Sequence, residues 1–218
     1  MINWVRYFAA GLFLLFWRCI YMKKVLFQGH GSLRLTADDI VIYIDPFAGE
    51  GYDVPADLIL VTHQHHDHNK LELPAKKPGC RIFQNIDAIK NGKYVSFDFN
   101  DIHIEPVQAY NKNHPIDECV GYVLTFSDGK TIYFAGDTSK TEQMSELANR
   151  DIDCAFLPMD GIYNMDIPEA IECAEIIGAK CTVPVHMAPG QLFDMSRAKR
   201  FTPKTAVKIL EPGEEIEV

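Results

Sequence analysis

Leu58-Ile59-Leu60-Val61-Thr62-His63-Gln64-His65-His66-Asp67-His68 is the stretch on which the reading of this chain turns. Four apolar residues in a row, without alternation, mark a strand buried on both faces. That strand runs directly into five ionisable side chains within six positions. A strand end is a rigid platform for ligands. In extended backbone, residues two apart point the same way, so His63 and His65 can grip one ion together. If the chain turns into a helix just afterwards, Asp67 and His68 are carried to the opposite side, towards a second ion. Histidine and carboxylate are ligands that zinc favours, and a coordination position left open for water would make the site catalytic. The bland alternative is a histidine-rich surface loop. It requires H-x-H-x-D-H to arise by chance, on the order of one in a thousand for a chain with so few histidines.

Outward from this stretch the pattern is β-rich up to Phe134. Short runs at Val25-Leu26-Phe27, 33–36, 40–44, 81–84, 94–97, 102–107, 120–126 and 131–135 have strand lengths and are separated by turn residues. Asp128-Gly129 is a hairpin signal. After Gly136 the character changes. Residues 141–149 and 168–177 have helical spacing, with Pro168 suited to a first turn and Gly178 just past the end. They alternate with apolar runs at 154–157 and 181–185. The whole therefore reads as packed layers of sheet and helix, an α/β (α+β) chain. Asp137 follows a β run and a glycine, and His186 follows the run 181–185, so each sits at a strand end as His63 does.

The segment Thr62 to His68 resembles the signature of the metallo-β-lactamase-fold hydrolases, and further segments match in order over nearly the whole chain from Met22. Ile42-Tyr43-Ile44-Asp45-Pro46-Phe47 is similar to an early strand ending in Asp-Pro, and Ala109-Tyr110-Asn111 with His114-Pro115 to the loop bearing a third histidine. Tyr133-Phe134-Ala135-Gly136-Asp137-Thr138 resembles the Gly-Asp-Thr segment, and Pro184-Val185-His186 the segment with the last histidine. The resemblance is nearest to the small bacterial and archaeal hydrolases related to lactonases acting on phosphorylated ascorbate. It implies a four-layer αββα sandwich with the site along one edge of the two sheets. It also implies the ligand sets: His63, His65 and His114 on one divalent ion, Asp67, His68 and His186 on the other, with Asp137 shared. Zinc is the first expectation for both ions, with manganese or iron(II) as alternatives, and Asn111 competes with His114 for its place.

Asp45 is expected to orient a ligand. His66 is expected to point away from the ions, and His103 towards solvent from an alternating strand. His30, in Gly29-His30-Gly31-Ser32, is open between a turn residue and a supporter of the site. Lys112, Arg197, Lys199 and Arg200 read as solvated charges, one or two of which could meet an anionic group on a substrate.

A formal net charge of −9, from 30 acidic and 21 basic residues, offers no footprint for a phosphate backbone, so nucleic acid is not the expected partner. The six cysteines are scattered, contain no C-x-x-C pair, and read as free thiols in a reducing cytoplasm. Residues 1–21 hold an apolar run from Tyr7 to Trp17 that is shorter than the roughly 20 residues needed to span a bilayer. They are read as an extension outside the fold, preceding a hydrolase domain over 22–218 that begins naturally at Met22. Membrane contact is expected only if that extension is a genuine anchor.

The expected activity is that of a dinuclear metal-dependent hydrolase. A hydroxide between the ions would be its nucleophile, Asp67 would orient that hydroxide, and the substrate would be a small ester, lactone or phosphoester. A phosphodiesterase or phospholipase-type hydrolase on the same site, and a metal-binding module without turnover, are the alternatives.

Overall fold

The computed structural model describes residues 22–218. The expectation for residues 1–21 therefore lies outside the described residues. Strands β1 (Lys23–Gly29), β2 (Ser32–Ala37), β3 (Ile40–Ile44), β4 (Ala56–Val61) and β5 (Lys76–Gln84) open the chain. A short helix α1 (Asn85–Ala88) and the hairpin β6 (Ile89–Lys90) and β7 (Lys93–Tyr94) lead to β8 (Phe97–Phe99), β9 (Ile102–Gln108), β10 (Val120–Phe126) and β11 (Thr131–Phe134). The remainder is α2 (Met144–Leu147), β12 (Cys154–Pro158), α3 (Ile167–Ile177), β13 (Cys181–Val185), α4 (Met195–Ala198) and β14 (Glu215–Glu217).

Two six-stranded sheets result, ordered β14-β1-β2-β3-β4-β5 and β13-β12-β11-β10-β9-β8. Period-2 side-chain alternation decides how they pack. Ile42, Leu58 and Leu60 from the first sheet meet Tyr122, Leu124, Phe134 and Phe156 from the second in one core. The intervening Tyr133, Ala155 and Leu157 face outward and are covered by Ala170, Cys173, Ala174 and Ile177 of α3 and by Met144 and Leu147 of α2. The intervening Val41, Tyr43, Ile59 and Val61 face outward from the first sheet and are covered by Tyr52, Val54 and Leu71. The sandwich expected from the sequence is thus present, with loop segments from 46–55 and 69–75 as its outer layer over the first sheet.

Helix α3 starts and stops where its residues dictate. The Asp166 carboxylate accepts from the Glu169 N–H, Pro168 sits in the first turn, and Gly178 ends the helix in the left-handed region. The expected helix 141–149 is shorter, a single α turn at 144–147 that tightens into a 3₁₀ turn at 148–150. The expected strand 94–97 is split. Asn91 and Gly92 both have positive φ and close the β6–β7 hairpin, while Phe97 pairs instead with Ile104 on the sheet edge.

Strand direction positions the site. β3, β4 and β5 run parallel, as do β11, β12 and β13. β9 and β11 are both antiparallel to β10 and so share a direction. The carboxyl ends of β3, β4, β9, β11, β12 and β13 are followed by Asp45, Thr62-His63, the 109–114 loop, Asp137, Asp160 and His186. The two sheets are stitched together beside this edge, where the Tyr122 hydroxyl donates to the Val61 carbonyl at 2.9 Å and the Val120 N–H to the Thr62 carbonyl at 3.0 Å.

Candidate metal centre

The buried strand β4 delivers Thr62 and His63 to the edge in extended backbone, and the chain then makes one tight turn, closed by the His68 N–H on the His65 carbonyl at 3.1 Å. The turn is not a helix; it carries Asp67 towards His30, while the His68 ring stays 4.2 Å from that of His63. The side chains of His63, His65 and His114 approach one another with donor atoms within 4.8 Å, as do those of His30, Asp67, His68 and His186. Asp137 lies between the groups. Its Oδ1 is 3.4 Å from His68 Nε2, and its Oδ2 is 3.4 Å from His114 Nε2 and 3.3 Å from His186 Nε2.

Partners on the far side of each ring settle which nitrogen faces inward. Asp45, buried at the end of β3, accepts from the Thr62 N–H (2.7 Å), the Thr62 hydroxyl (2.6 Å) and His68 Nδ1 (2.9 Å). The Thr62 hydroxyl has spent its proton on Asp45, so it accepts from His63 Nδ1 at 3.0 Å. Asn111 Oδ1 accepts from His114 Nδ1 at 3.0 Å. His186 Nδ1 sits 3.1 Å from Asp160 Oδ2, close enough for charge pairing though not aligned as a strict hydrogen bond. With each Nδ1 held in this way, the lone pair of Nε2 is left for the interior. The Nε2 atoms of His63, His68, His114 and His186 are all buried, and none has a hydrogen-bond partner.

Burial and the carboxylates pull the histidines in opposite directions. Burial is the main cause that pushes His63 down to about 2, and it also lowers His114. Burial opposes the charge on Asp137, but the surrounding histidines outweigh it and hold this carboxylate well below its ordinary value. Burial likewise opposes a charge on His68, but Asp137 and Asp45 prevail and raise it to about 9. His186 is raised against burial by Asp137 and Asp160, and Asp160 is held at about 2 against burial by His186 and the backbone N–H groups of Ile162 and Tyr163. The buried carboxylates draw positive charge to the cluster, either as protons on His68 and His186 or as a bound cation that displaces them.

The cluster floors a cleft of about 450 Å³ whose base is His65, Asp67, His114, Asp137 and His186 and whose walls include Phe47, Tyr163 and Pro189. The profile of the Beta-lactamase superfamily domain matches residues 24–186. A UPF0173 metal-dependent hydrolase of Ligilactobacillus salivarius is 33% identical over 185 residues, covering 75% of this chain and 84% of that protein. The chain belongs to the metallo-β-lactamase superfamily of metal-dependent hydrolases. A superfamily member from Thermococcus kodakarensis, also a UPF0173 metal-dependent hydrolase, is 33% identical over an alignment of 231 positions that covers 90% of this chain and all of the relative. The crystal structure of a protein from Parabacteroides distasonis named as a metal-dependent hydrolase superimposes with a TM-score of 0.72 at 32% identity, covering 86% of this chain and 92% of that one.

All seven residues singled out within this superfamily pattern, His63, His65, Asp67, His68, His114, Asp137 and His186, come together at the one edge. Asn111, the competitor for His114's place, holds that ring by its Nδ1 instead. Asp45 takes the orienting position expected of it. His66 is exposed and leans on the Phe47 ring, and His103 pairs with Asp98 on the surface at 2.7 Å. Arg197 is not a free surface charge: it donates to the Met159 carbonyl at 2.8 Å and props the loop after β12.

His30 is settled as part of the site. Its Nε2 is 3.2 Å from Asp67 Oδ2, its Nδ1 is 3.2 Å from the Gln191 carbonyl, and its ring lies against His186 at 3.7 Å. Asp160 was missed in the sequence. The signal was there, since it follows the apolar run 154–158 as Asp137 and His186 follow theirs.

The described cysteines, Cys80, Cys119, Cys154, Cys173 and Cys181, are free thiols. Among the described residues no helix is long and apolar enough to cross a membrane.

Proposed function

We propose that the protein is a dinuclear hydrolase in which His63, His65 and His114 hold one divalent cation, Asp67, His68 and His186 hold a second, and Asp137 is shared between them. The observation that carries this reading is the set of four buried Nε2 atoms, without hydrogen-bond partners, gathered around one charged carboxylate. Imidazole and carboxylate donors in this proportion suit zinc first, with manganese or iron(II) as alternatives. Cations bound there would polarise a carbonyl or phosphoryl oxygen and lower the pKa of a coordinated water from 15.7 to about 7.

The chain's own residues supply the rest. Asp45, Asn111 and Asp160 fix the rings of His68, His114 and His186 from behind. Asp67 is half-buried at the cleft floor, with one oxygen steadied by His30, and is the group proposed to orient the attacking water and take its proton. The substrate is a small molecule that reaches this floor through the cleft.

Elemental analysis and a hydrolase panel on the full chain test the proposal together. The expected result is two equivalents of metal and turnover of an ester or lactone. Asp137→Ala and His65→Ala should each lose metal and turnover while circular dichroism stays that of the folded protein. Full activity in either variant, or a wild-type protein that binds no divalent metal, overturns the reading.

A further inference from the structure

The walls of the cleft carry information that the metal floor does not. Among the described residues no lysine or arginine lines the cleft, whereas two carboxylates, Asp67 and Asp137, do. The neighbouring pocket of about 400 Å³ across Tyr163 has Lys112 as its cation, but offset by Asp166 and Glu169. A phosphorylated or otherwise anionic substrate would thus gain no lysine contact and no bidentate arginine contact from the cleft walls.

What the walls present instead includes the apolar surfaces of Phe47, Tyr163 and Pro189. Phe47 is half-buried, with its ring 5.2 Å from that of His30 and 6.2 Å from that of His66. Tyr163, which lines both the cleft and the neighbouring pocket, and Ile162, which lines the neighbouring pocket, stand 49% and 56% exposed. Their loop is pinned. Asp160 Oδ1 accepts from the N–H groups of Ile162 and Tyr163 at 2.7 Å each, and Asn113 Nδ2 donates to the carbonyls of both residues at 3.4 and 3.3 Å. The carboxylate that anchors this apolar flap is also the one that faces His186, so flap and metal floor are built as one unit. Exposed apolar surface kept rigid beside a reactive floor is pre-organised for an apolar ligand.

We infer that the substrate is an uncharged ester or lactone whose alkyl or aryl arm lies between Phe47 and Tyr163, and that it is preferred over phosphorylated substrates, which gain no lysine or arginine contact from the walls. This rests on the metal reading above. Water adds to the carbonyl carbon, the bond from that carbon to the alcohol oxygen breaks, and the proton of the water passes to the departing alkoxide, which leaves acid and alcohol.

Calorimetric titration of the metal-loaded full chain with acetohydroxamate, octanohydroxamate and phenyl phosphate tests the inference by binding rather than turnover. A buried methylene is worth up to about fourfold in affinity, so octanohydroxamate is expected to bind at least about 30-fold more tightly than acetohydroxamate, and more tightly than phenyl phosphate. Tyr163→Ala, at an exposed position that folding does not require, should cut that 30-fold advantage to below about fivefold by removing one wall. A protein that holds its metal and binds both hydroxamates equally, or prefers phenyl phosphate, overturns this inference alone. A protein that holds no metal and binds no hydroxamate overturns both readings.

Discussion

Replacing Asp45 with asparagine preserves size, and asparagine tolerates the left-handed backbone found there (φ 48°), yet it reverses one donor. The carboxylate of Asp45 accepts three hydrogen bonds: the Thr62 N–H on Oδ1, and the Thr62 hydroxyl and His68 Nδ1 on Oδ2. In the variant the amide oxygen can keep the Thr62 N–H. The NH₂ group then faces the Thr62 hydroxyl, which can turn to accept, and His68 Nδ1, which can accept only by giving up its hydrogen. The proton of a neutral His68 moves to Nε2, the nitrogen directed at Asp137, and the lone pair needed for a cation is lost. Loss of such a supporting hydrogen bond costs about 10–100-fold in metal affinity, or about 1.4–2.8 kcal/mol. Without metal, exchanging a charge-assisted bond for a neutral one should cost only about 1 kcal/mol of stability. The assay is a competitive chelator titration of wild type and Asp45→Asn, with urea unfolding of both metal-free proteins. A variant that binds metal within twofold of wild type would show that Asp45 does not set the His68 tautomer.

Two further outcomes concern residues that are not themselves metal ligands. Gly136 has φ 64°, and a Cβ there would lie 2.8 Å from the Val120 carbonyl oxygen and 3.0 Å from Thr62 Cβ. Gly136→Ala should therefore destabilise by at least about 2 kcal/mol, a fall of roughly 4–8 °C in Tm by scanning calorimetry, and an unchanged Tm would contradict the packing described. Asp153 joins the starts of β11 and β12, accepting from the Thr131 N–H at 2.9 Å and from Lys130 and Lys180 at 3.1 Å each. Burial opposes its charge, but these donors outweigh it and hold the carboxyl below 3.8. A carboxyl lowered on folding contributes stability above pH 3.8 and loses it as pH falls through the folded value. Asp153→Ala should cost about 1–3 kcal/mol at pH 7, with the gap to wild type narrowing below pH 4 in urea titrations; a gap that widens on acidification would refute the assignment.

Much of the site is local in the chain and so could be read from it. The apolar run into His63, His65, Asp67 and His68 is continuous, and Asp137 and His186 each follow a strand-like run, so strand-end logic reaches them without any tertiary information. The unbroken apolar run 58–61 likewise foretold a strand buried on both faces, because alternate side chains must point opposite ways. The choice between His114 and Asn111 was beyond it, since both sit in one irregular loop. Only the fold shows that Asn111 grips Nδ1 from behind while His114 turns Nε2 inward.

The same holds for His30, whose partners are Asp67, Gln191 and His186, and for Asp160, which meets His186 across two neighbouring parallel strands. Composition and spacing along a chain report which residues can bind a cation and where each element begins. Which strand ends share an edge, which nitrogen of each ring faces the interior, and whether the walls above are charged or apolar all depend on contacts between segments dozens to over a hundred residues apart. Those contacts are made by the packing of the two sheets, and no local pattern encodes them.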